Sequence, residues 1–195
     1  MKIFRYGVLR FVVSIVFFLF GDILDVSACQ SGGDTYCLEM DAQGNIVSVW
    51  QNKCQADGYG VIYGATKLAG GDWSAAMQIS NNGCQCEKPL VEVAANGNAI
   101  AVWLSNDEQG SMLVSSQLPF EGSWTKPTIV SDFNIEEVMN NSYGITLDDN
   151  GNLTAFWTGY MIDGSFPPGQ QVFRSAAGVF GGAWSAPETL TIPQY

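Results

Sequence analysis

An internal repeat constrains the fold of this chain more than any other feature. Three segments align without gaps, each with a Gly-Asn pair and a terminal tryptophan: residues 40–50, 93–103 and 147–157. Three longer segments align equally well: residues 61–80, 112–131 and 172–191. All 6 tryptophans of the chain fall in these two registers. A period of about fifty residues predicts tandem units that bury their apolar faces against one another.

Each unit has the pattern of four short strands, A to D. Strand A leads into the Gly-Asn turn, where both residue types tolerate a positive φ. Strand B ends at the first tryptophan and is apolar on both faces, so it must be covered on both sides. Strand C follows, and strand D begins at the second tryptophan. No segment has sustained helical periodicity.

These patterns predict an all-β fold. We expect three tandem four-stranded antiparallel units, at about residues 34–80, 87–131 and 142–191, stacked like the blades of a partial β-propeller. A β-sandwich built from hairpins is the alternative. In the propeller arrangement the strand-B tryptophans seal the gaps between units. Trp103, in the middle unit, should then be better covered than Trp50 or Trp157, which would each have a free flank.

The first 28 residues have the organisation of a secretory signal peptide. Lys2, Arg5 and Arg10 precede an apolar run at residues 11–20, and Val26-Ser27-Ala28 supplies the small residues that a signal peptidase reads. A retained membrane anchor is the alternative, but a span needs roughly 20 apolar residues. We therefore expect cleavage before Cys29, a repeat domain at residues 29–195 and an extracytoplasmic protein. It would be secreted, periplasmic or lipid-anchored at the cell surface.

Cys29 is also a candidate for lipidation. Residues 26–29, Val-Ser-Ala-Cys, resemble a bacterial lipobox, although Asp25 directly before them is unusual for such a signal. A lipid at Cys29 would be the protein's only contact with a membrane.

The charge balance excludes several classes of function. Without residues 1–28 the chain has 5 basic and 17 acidic residues, a net charge of about −12, which repels nucleic acid and anionic lipid. The chain contains no histidine, so Ser-His-Asp and Cys-His mechanisms and most zinc sites are excluded. We expect no cofactor and no metal, and we assign no catalytic residue.

The 5 cysteines of the chain gather at one end of the first unit in this strand order. An oxidising compartment favours disulfides. The candidates for disulfide formation are Cys37, Cys54, Cys84 and Cys86. We expect Cys37 or Cys54 to be linked to Cys84 or Cys86. A four-thiolate metal site is the less favoured alternative, because the Cys84-Gln85-Cys86 spacing is tight for zinc.

Candidate ligand-binding residues lie in the variable loops at this cysteine-bearing end. Loops on a rigid scaffold are the usual place for binding, and acids beside aromatics could bind a carbohydrate or a protein. The candidates are Asp57, Tyr59, Asp107, Glu108, Tyr160 and Asp163. The alternative is that these are ordinary solvent-exposed loops without a binding role.

The repeat also resembles a known family. The sequence Gly-Gly-x-Trp-Ser at residues 70–74 and 181–185, with Pro127 and Pro187 three residues after their tryptophans, resembles the C–D turn of sialidase-type (BNR or Asp-box) repeats in bacterial secreted β-propeller proteins. The resemblance implies blades of a propeller and says little about function. The Asp box itself is absent, since Lys67-Leu68-Ala69 stands there in the first unit.

The resemblance does not extend to sialidase activity. Sialidases share an arginine triad that binds the substrate carboxylate, and Arg174 is the one arginine after residue 28. Three units are also fewer than the roughly four to eight blades of closed propellers. The array could be part of a longer ancestor, or a homo-oligomer could complete the ring. We expect an exported non-catalytic binding or surface-interaction module; a carbohydrate-active enzyme, or an inactive relative of a sialidase-like glycoside hydrolase, is the alternative.

Overall fold

In the computed structural model, the described residues are 26–30, 35–53, 60–107, 110–131, 138, 142–160 and 171–190. The elements within them are strands, and the side chains of residues 26–30, 53, 107 and 160 are not described. Residues 1–25 of the predicted signal peptide lie outside the described residues. The part of the chain that the structure describes contains no helix that could span a membrane.

The strands follow the predicted order A to D in each unit. The first unit contains β2 (Tyr36–Met40), β3 (Ile46–Lys53), β4 (Gly60–Lys67) and β5 (Met77–Gln78). The second contains β6 (Gln85–Val93), β7 (Ala99–Asp107), β8 (Gly110–Leu118) and β9 (Thr128–Ile129). The third contains β10 (Tyr143–Leu147), β11 (Asn152–Tyr160), β12 (Gln171–Val179) and β13 (Glu188–Leu190). Consecutive strands within each unit pair antiparallel, so the all-β prediction is confirmed.

An additional strand, β1 (Val26–Gln30), pairs antiparallel with β2. It includes the residues of the predicted cleavage site. Cleavage before Cys29 would therefore remove residues 26–28 of β1. Only Cys29 and Gln30 of β1 would then remain to pair with β2.

Two features differ from the sequence prediction. The units form two sheets, because one residue pair, Gly60 with Cys86, joins β4 to β6. The fourth strands are also shorter than expected. The second tryptophan makes an isolated bridge in the first and third units, and regular pairing resumes only later. In the first unit the Ser74 hydroxyl accepts a hydrogen bond from Thr66 N at 3.0 Å and so replaces a strand carbonyl.

The Gly-Asn turns form as the repeat predicts. Gly44, Gly97 and Gly151 have φ values of 85°, 81° and 81°, in the left-handed region that favours glycine. Each of these turns is tied to the C–D turn of its own unit. Ala69 N donates to Asn45 Oδ1, Phe120 N to Asn98 Oδ1, and Phe180 N to Gly151 O.

The hydrophobic core lies between units. One cluster joins the first and second units and contains Val49, Ile62 and Trp103. The other joins the second and third units and contains Val102, Leu113 and Trp157. Residues 99–104 of β7 are buried throughout, as the two-sided covering of strand B requires.

Both tryptophan registers face the preceding unit. In the second unit, Trp124 packs so closely on Gly64 that a Cβ there would lie 2.9 Å from the indole nitrogen. In the third unit, Trp184 Nε1 donates to Ser115 Oγ at 2.9 Å. Trp157 also faces the second unit and is buried, so the expectation of a free flank at Trp157 is wrong. Val49 packs in the cluster with the second unit, so Trp50, the next residue of β3, points to the opposite face of the sheet, where it is half-buried.

Candidate functional site

The structure does not describe the ligand-binding residues that the sequence suggested. Asp57, Tyr59, Glu108 and Asp163 lie outside the described residues. The side chains of Asp107 and Tyr160, at the ends of β7 and β11, lie outside them too. The loops at the cysteine-bearing end therefore stay a prediction, and the described concave sites lie at the opposite end, beside the Gly-Asn turns.

The cysteines pair differently from the expected linkage. Cys84 and Cys86 are bonded to each other, with Cα atoms 5.3 Å apart. Cys37 is also disulfide-bonded, and its partner sulfur belongs to a side chain that the structure does not describe. Cys54 lies outside the described residues. The difference has a local cause, since Cys84 and Cys86 are close enough in the chain to bond without bringing two units together.

Carboxylates gather where the three A strands end. They line a pocket of about 330 Å³ together with backbone from all three units; its acids are Asp41, Glu92, Asp148 and Asp149. Three equivalent chain segments meet here, which makes the pocket a product of the repeat.

Most of these carboxylates are engaged in structural hydrogen bonds. Asp41 accepts from Gln43 N at 2.9 Å and from Asn45 N and Nδ2 at 2.8 Å each. Asp148 makes the same three bonds in the third unit. These bonds, the one from the Asn152 side chain first, lower the pKa of the Asp148 carboxyl. Asp149 Oδ1 accepts from Ala95 N at 2.9 Å and thereby joins the second and third units.

No metal site follows from this pocket. Among the side chains that the structure describes, no group of three His, Cys, Asp or Glu is placed to hold a metal ion.

The one arginine after residue 28 has a structural role: Arg174 is buried and donates to Thr189 Oγ1 at 2.6 Å and to Pro187 O at 3.2 Å. It therefore fastens β13 to β12.

A second cavity, which we call the inter-unit cleft, lies between the first and second units. Its volume is about 330 Å³, at the lower end of the roughly 300–1,000 Å³ typical of ligand pockets. Leu68 and Phe120 stand half-exposed in its lining. Polar groups also line it: Asn45, Thr66, Lys67 and Glu121. An apolar, aromatic surface with a few polar groups is the composition expected of a small-molecule site.

One side chain distinguishes this cleft from the equivalent place between the second and third units. Between the second and third units, Gln117 Oε1 accepts a hydrogen bond from Gly181 N at 2.6 Å and so bridges the equivalent place. Thr66 occupies the position of Gln117 in the first unit, and its side chain is shorter. Glu121 occupies the position of Gly181, and both residues have a positive φ, 53° and 79°. The two turns therefore have similar backbones, and the first interface has Thr66 where the second has the bridging Gln117.

The sequence contains a signal for this cleft in the variation of its C–D turns. The C–D turns differ most in the residues before the glycine: Lys67-Leu68-Ala69, Leu118-Pro119-Phe120 and Gly178-Val179-Phe180.

Comparison with known proteins adds little to the geometry. No family model matches the sequence, and no curated protein matches it. Among solved structures, the chain is similar to the endo-arabinase from Bacteroides thetaiotaomicron VPI-5482, with 10% sequence identity and a TM-score of 0.46. The match covers 87% of this chain and 77% of the endo-arabinase. This distant neighbour gives the chain neither a substrate nor an activity.

Proposed function

We propose that this protein is an exported, non-catalytic binding module whose inter-unit cleft takes a small ligand with one apolar face and polar edges. Short neutral carbohydrates belong to this class, because a pyranose ring presents C–H groups on its faces and hydroxyls around its rim. The observation that supports the proposal is the half-exposed Phe120 ring in a cleft that also offers Asn45, Thr66, Lys67 and Glu121.

The non-catalytic part of the proposal rests on how the acids are used. Glycoside hydrolysis needs two carboxyl groups free to face a scissile bond. Asp41 and Asp148 instead cap their own turns, and Asp149 bonds to Ala95 N. A carbohydrate-active enzyme is the alternative, and it would have to use acids in the loops at the other end of the units.

The cleft can be tested by exchanging one residue between the two interfaces. In Thr66→Gln, the new amide oxygen should accept a hydrogen bond from Glu121 N and close the cleft. Gln117→Thr makes the reverse exchange at the other interface and is the matched control. Short neutral oligosaccharides would be titrated by calorimetry and by saturation-transfer NMR. We expect Thr66→Gln to weaken binding at least about 10-fold, and Gln117→Thr to leave it unchanged.

Two results would count against the cleft. Equal affinity of wild type and Thr66→Gln would move the binding site elsewhere on the protein. Hydrolysis of any oligosaccharide would favour the enzymatic alternative, and absence of both binding and hydrolysis would count against a carbohydrate ligand.

Export is proposed on the N-terminal residues alone. The basic region, the apolar run and Val26-Ser27-Ala28 support cleavage before Cys29. Intact-mass spectrometry of the protein from its native host should show a chain that begins at Cys29, with or without a diacylglycerol group. A mature protein that retained Met1 would contradict the proposal.

A further inference from the structure

The third unit presents an apolar sheet face that no other described strand covers. Phe156, Phe173 and Leu190 lie on this face and are 46%, 43% and 50% exposed. The three come from adjacent strands, because Phe173 pairs with Leu190 and Phe156 with Ser175. Exposed patches of this kind on soluble proteins mark interaction sites.

The repeat shows what such a face normally does. The positions of Phe156, Phe173 and Leu190 are held in the second unit by Val102, Leu113 and Val130, and in the first unit by Val49, Ile62 and Ile79. Those six side chains are at most 3% exposed, because each set packs against the next unit. The face of the third unit therefore has the chemistry of a unit–unit interface, and no described unit packs on it.

The complementary face is present on the first unit. Trp103 and Trp157 each pack on a preceding unit, and Trp50 holds the same register in the first unit. Trp50 is half-buried and stacks on Tyr63, with ring centroids 6.0 Å apart and an interplanar angle of 20°. Trp73, which corresponds to Trp124 and Trp184, is 46% exposed. The first unit therefore has the tryptophans of an interface, and no described unit packs on them.

The hydrogen-bond partners on the two faces also match. Trp184 Nε1 donates to Ser115 Oγ across the interface between the second and third units. Ser175 holds the position of Ser115 on the open face of the third unit, and Trp73 holds the position of Trp184. The same bond could thus form between Trp73 of one chain and Ser175 of another.

We infer that the open face of the third unit binds the outer face of the first unit in a second copy of this chain. The two contacts are equivalent, so two copies would close a ring of six units, within the typical range of roughly four to eight blades. Charge favours the pairing. In a strongly acidic protein, the side chains on the open face in β10, β11 and β12 are uncharged, and Glu188 of β13, which pairs with Ser175, is the charged residue described on this face. A head-to-tail contact of this kind either closes into a ring or grows into a filament.

The test uses sedimentation velocity on the full exported protein over a range of concentrations. Phe156→Asp places a charge on the third-unit face, and Trp73→Asp places one on the first-unit face. Ile129→Asp is the matched control, because Ile129 is an exposed apolar residue on the outer strand β9 of the middle unit. Circular dichroism of each variant verifies that the fold is retained.

We expect wild type and Ile129→Asp to sediment as dimers. Phe156→Asp and Trp73→Asp should each raise the dimer dissociation constant at least about 30-fold, as expected for loss of an aromatic hot spot. A wild-type monomer at all concentrations would overturn the inference, and polymers longer than a dimer would overturn the closed ring. Dissociation by Phe156→Asp but not by Trp73→Asp would indicate a symmetric contact between two third units and would also overturn it.

Discussion

Replacing Trp103 by alanine should lower the free energy of unfolding by roughly 3–5 kcal/mol, the usual cost of truncating a buried aromatic. The Trp103 side chain is 1% exposed and packs in the cluster that joins the first two units. The loss is large against a typical total stability of about 5–15 kcal/mol. It would be measured by urea denaturation with the disulfides intact, in the Phe156→Asp background so that association does not contribute.

The other strand-B tryptophans provide the matched controls. Trp157→Ala should cost about as much as Trp103→Ala, since Trp157 is equally buried against the second unit. Trp50→Ala should cost clearly less in the monomeric background, because Trp50 is in neither of the described core clusters between units. If the wild type forms the inferred dimer, the effect of Trp50→Ala should grow with protein concentration. Equal losses at all three tryptophans in the monomeric background would mean that Trp50 is covered within one chain.

The repeat predicted much of the fold because it placed the same residue types in the same registers three times. The strand order, the positive φ of the three turn glycines and the burial of strand B in the middle unit all follow from it. The short fourth strands did not, because they depend on Ser74 and Ser185 replacing strand carbonyls by their hydroxyls. The burial of Trp157 was missed because strand alternation does not say which face of a unit meets its predecessor.

The inter-unit cleft was harder to predict than the strands. At the position of Gln117, which bridges the second interface, the first unit has the shorter Thr66, and this matters only when the turn of the next unit lies opposite. An alignment of units shows the exchange but not what faces it. For the acidic turn of the third unit, in contrast, the alignment of units was sufficient. The sequence Asp148-Asp149 has the composition of a calcium-binding loop. Ala94 holds the position of Asp148 in the second unit, however, and a turn that forms without this carboxylate indicates a plain turn.

The Asp41 carboxylate should contribute strongly to stability in spite of its small size. It is buried and accepts three hydrogen bonds from its own turn, from Gln43 N and from Asn45 N and Nδ2. Hydrogen bonds to charged groups contribute roughly 1.5–3 kcal/mol, and donors left unpaired in a buried site add a penalty. We expect Asp41→Ala to lower the free energy of unfolding by about 2–3 kcal/mol in urea denaturation.

The other two units supply both a control and a rescue for this variant. Asp148→Ala removes the same bonds from an exposed turn, where water can replace the carboxylate, so its loss should be smaller. The second unit forms its turn with Ala94, where Asn96 Oδ1 accepts from Asn98 N at 3.0 Å. Adding Gln43→Asn to Asp41→Ala recreates that arrangement and should recover part of the lost stability. A double variant no more stable than Asp41→Ala would show that burial of the Asp41 site, and not the turn itself, sets the requirement for a carboxylate.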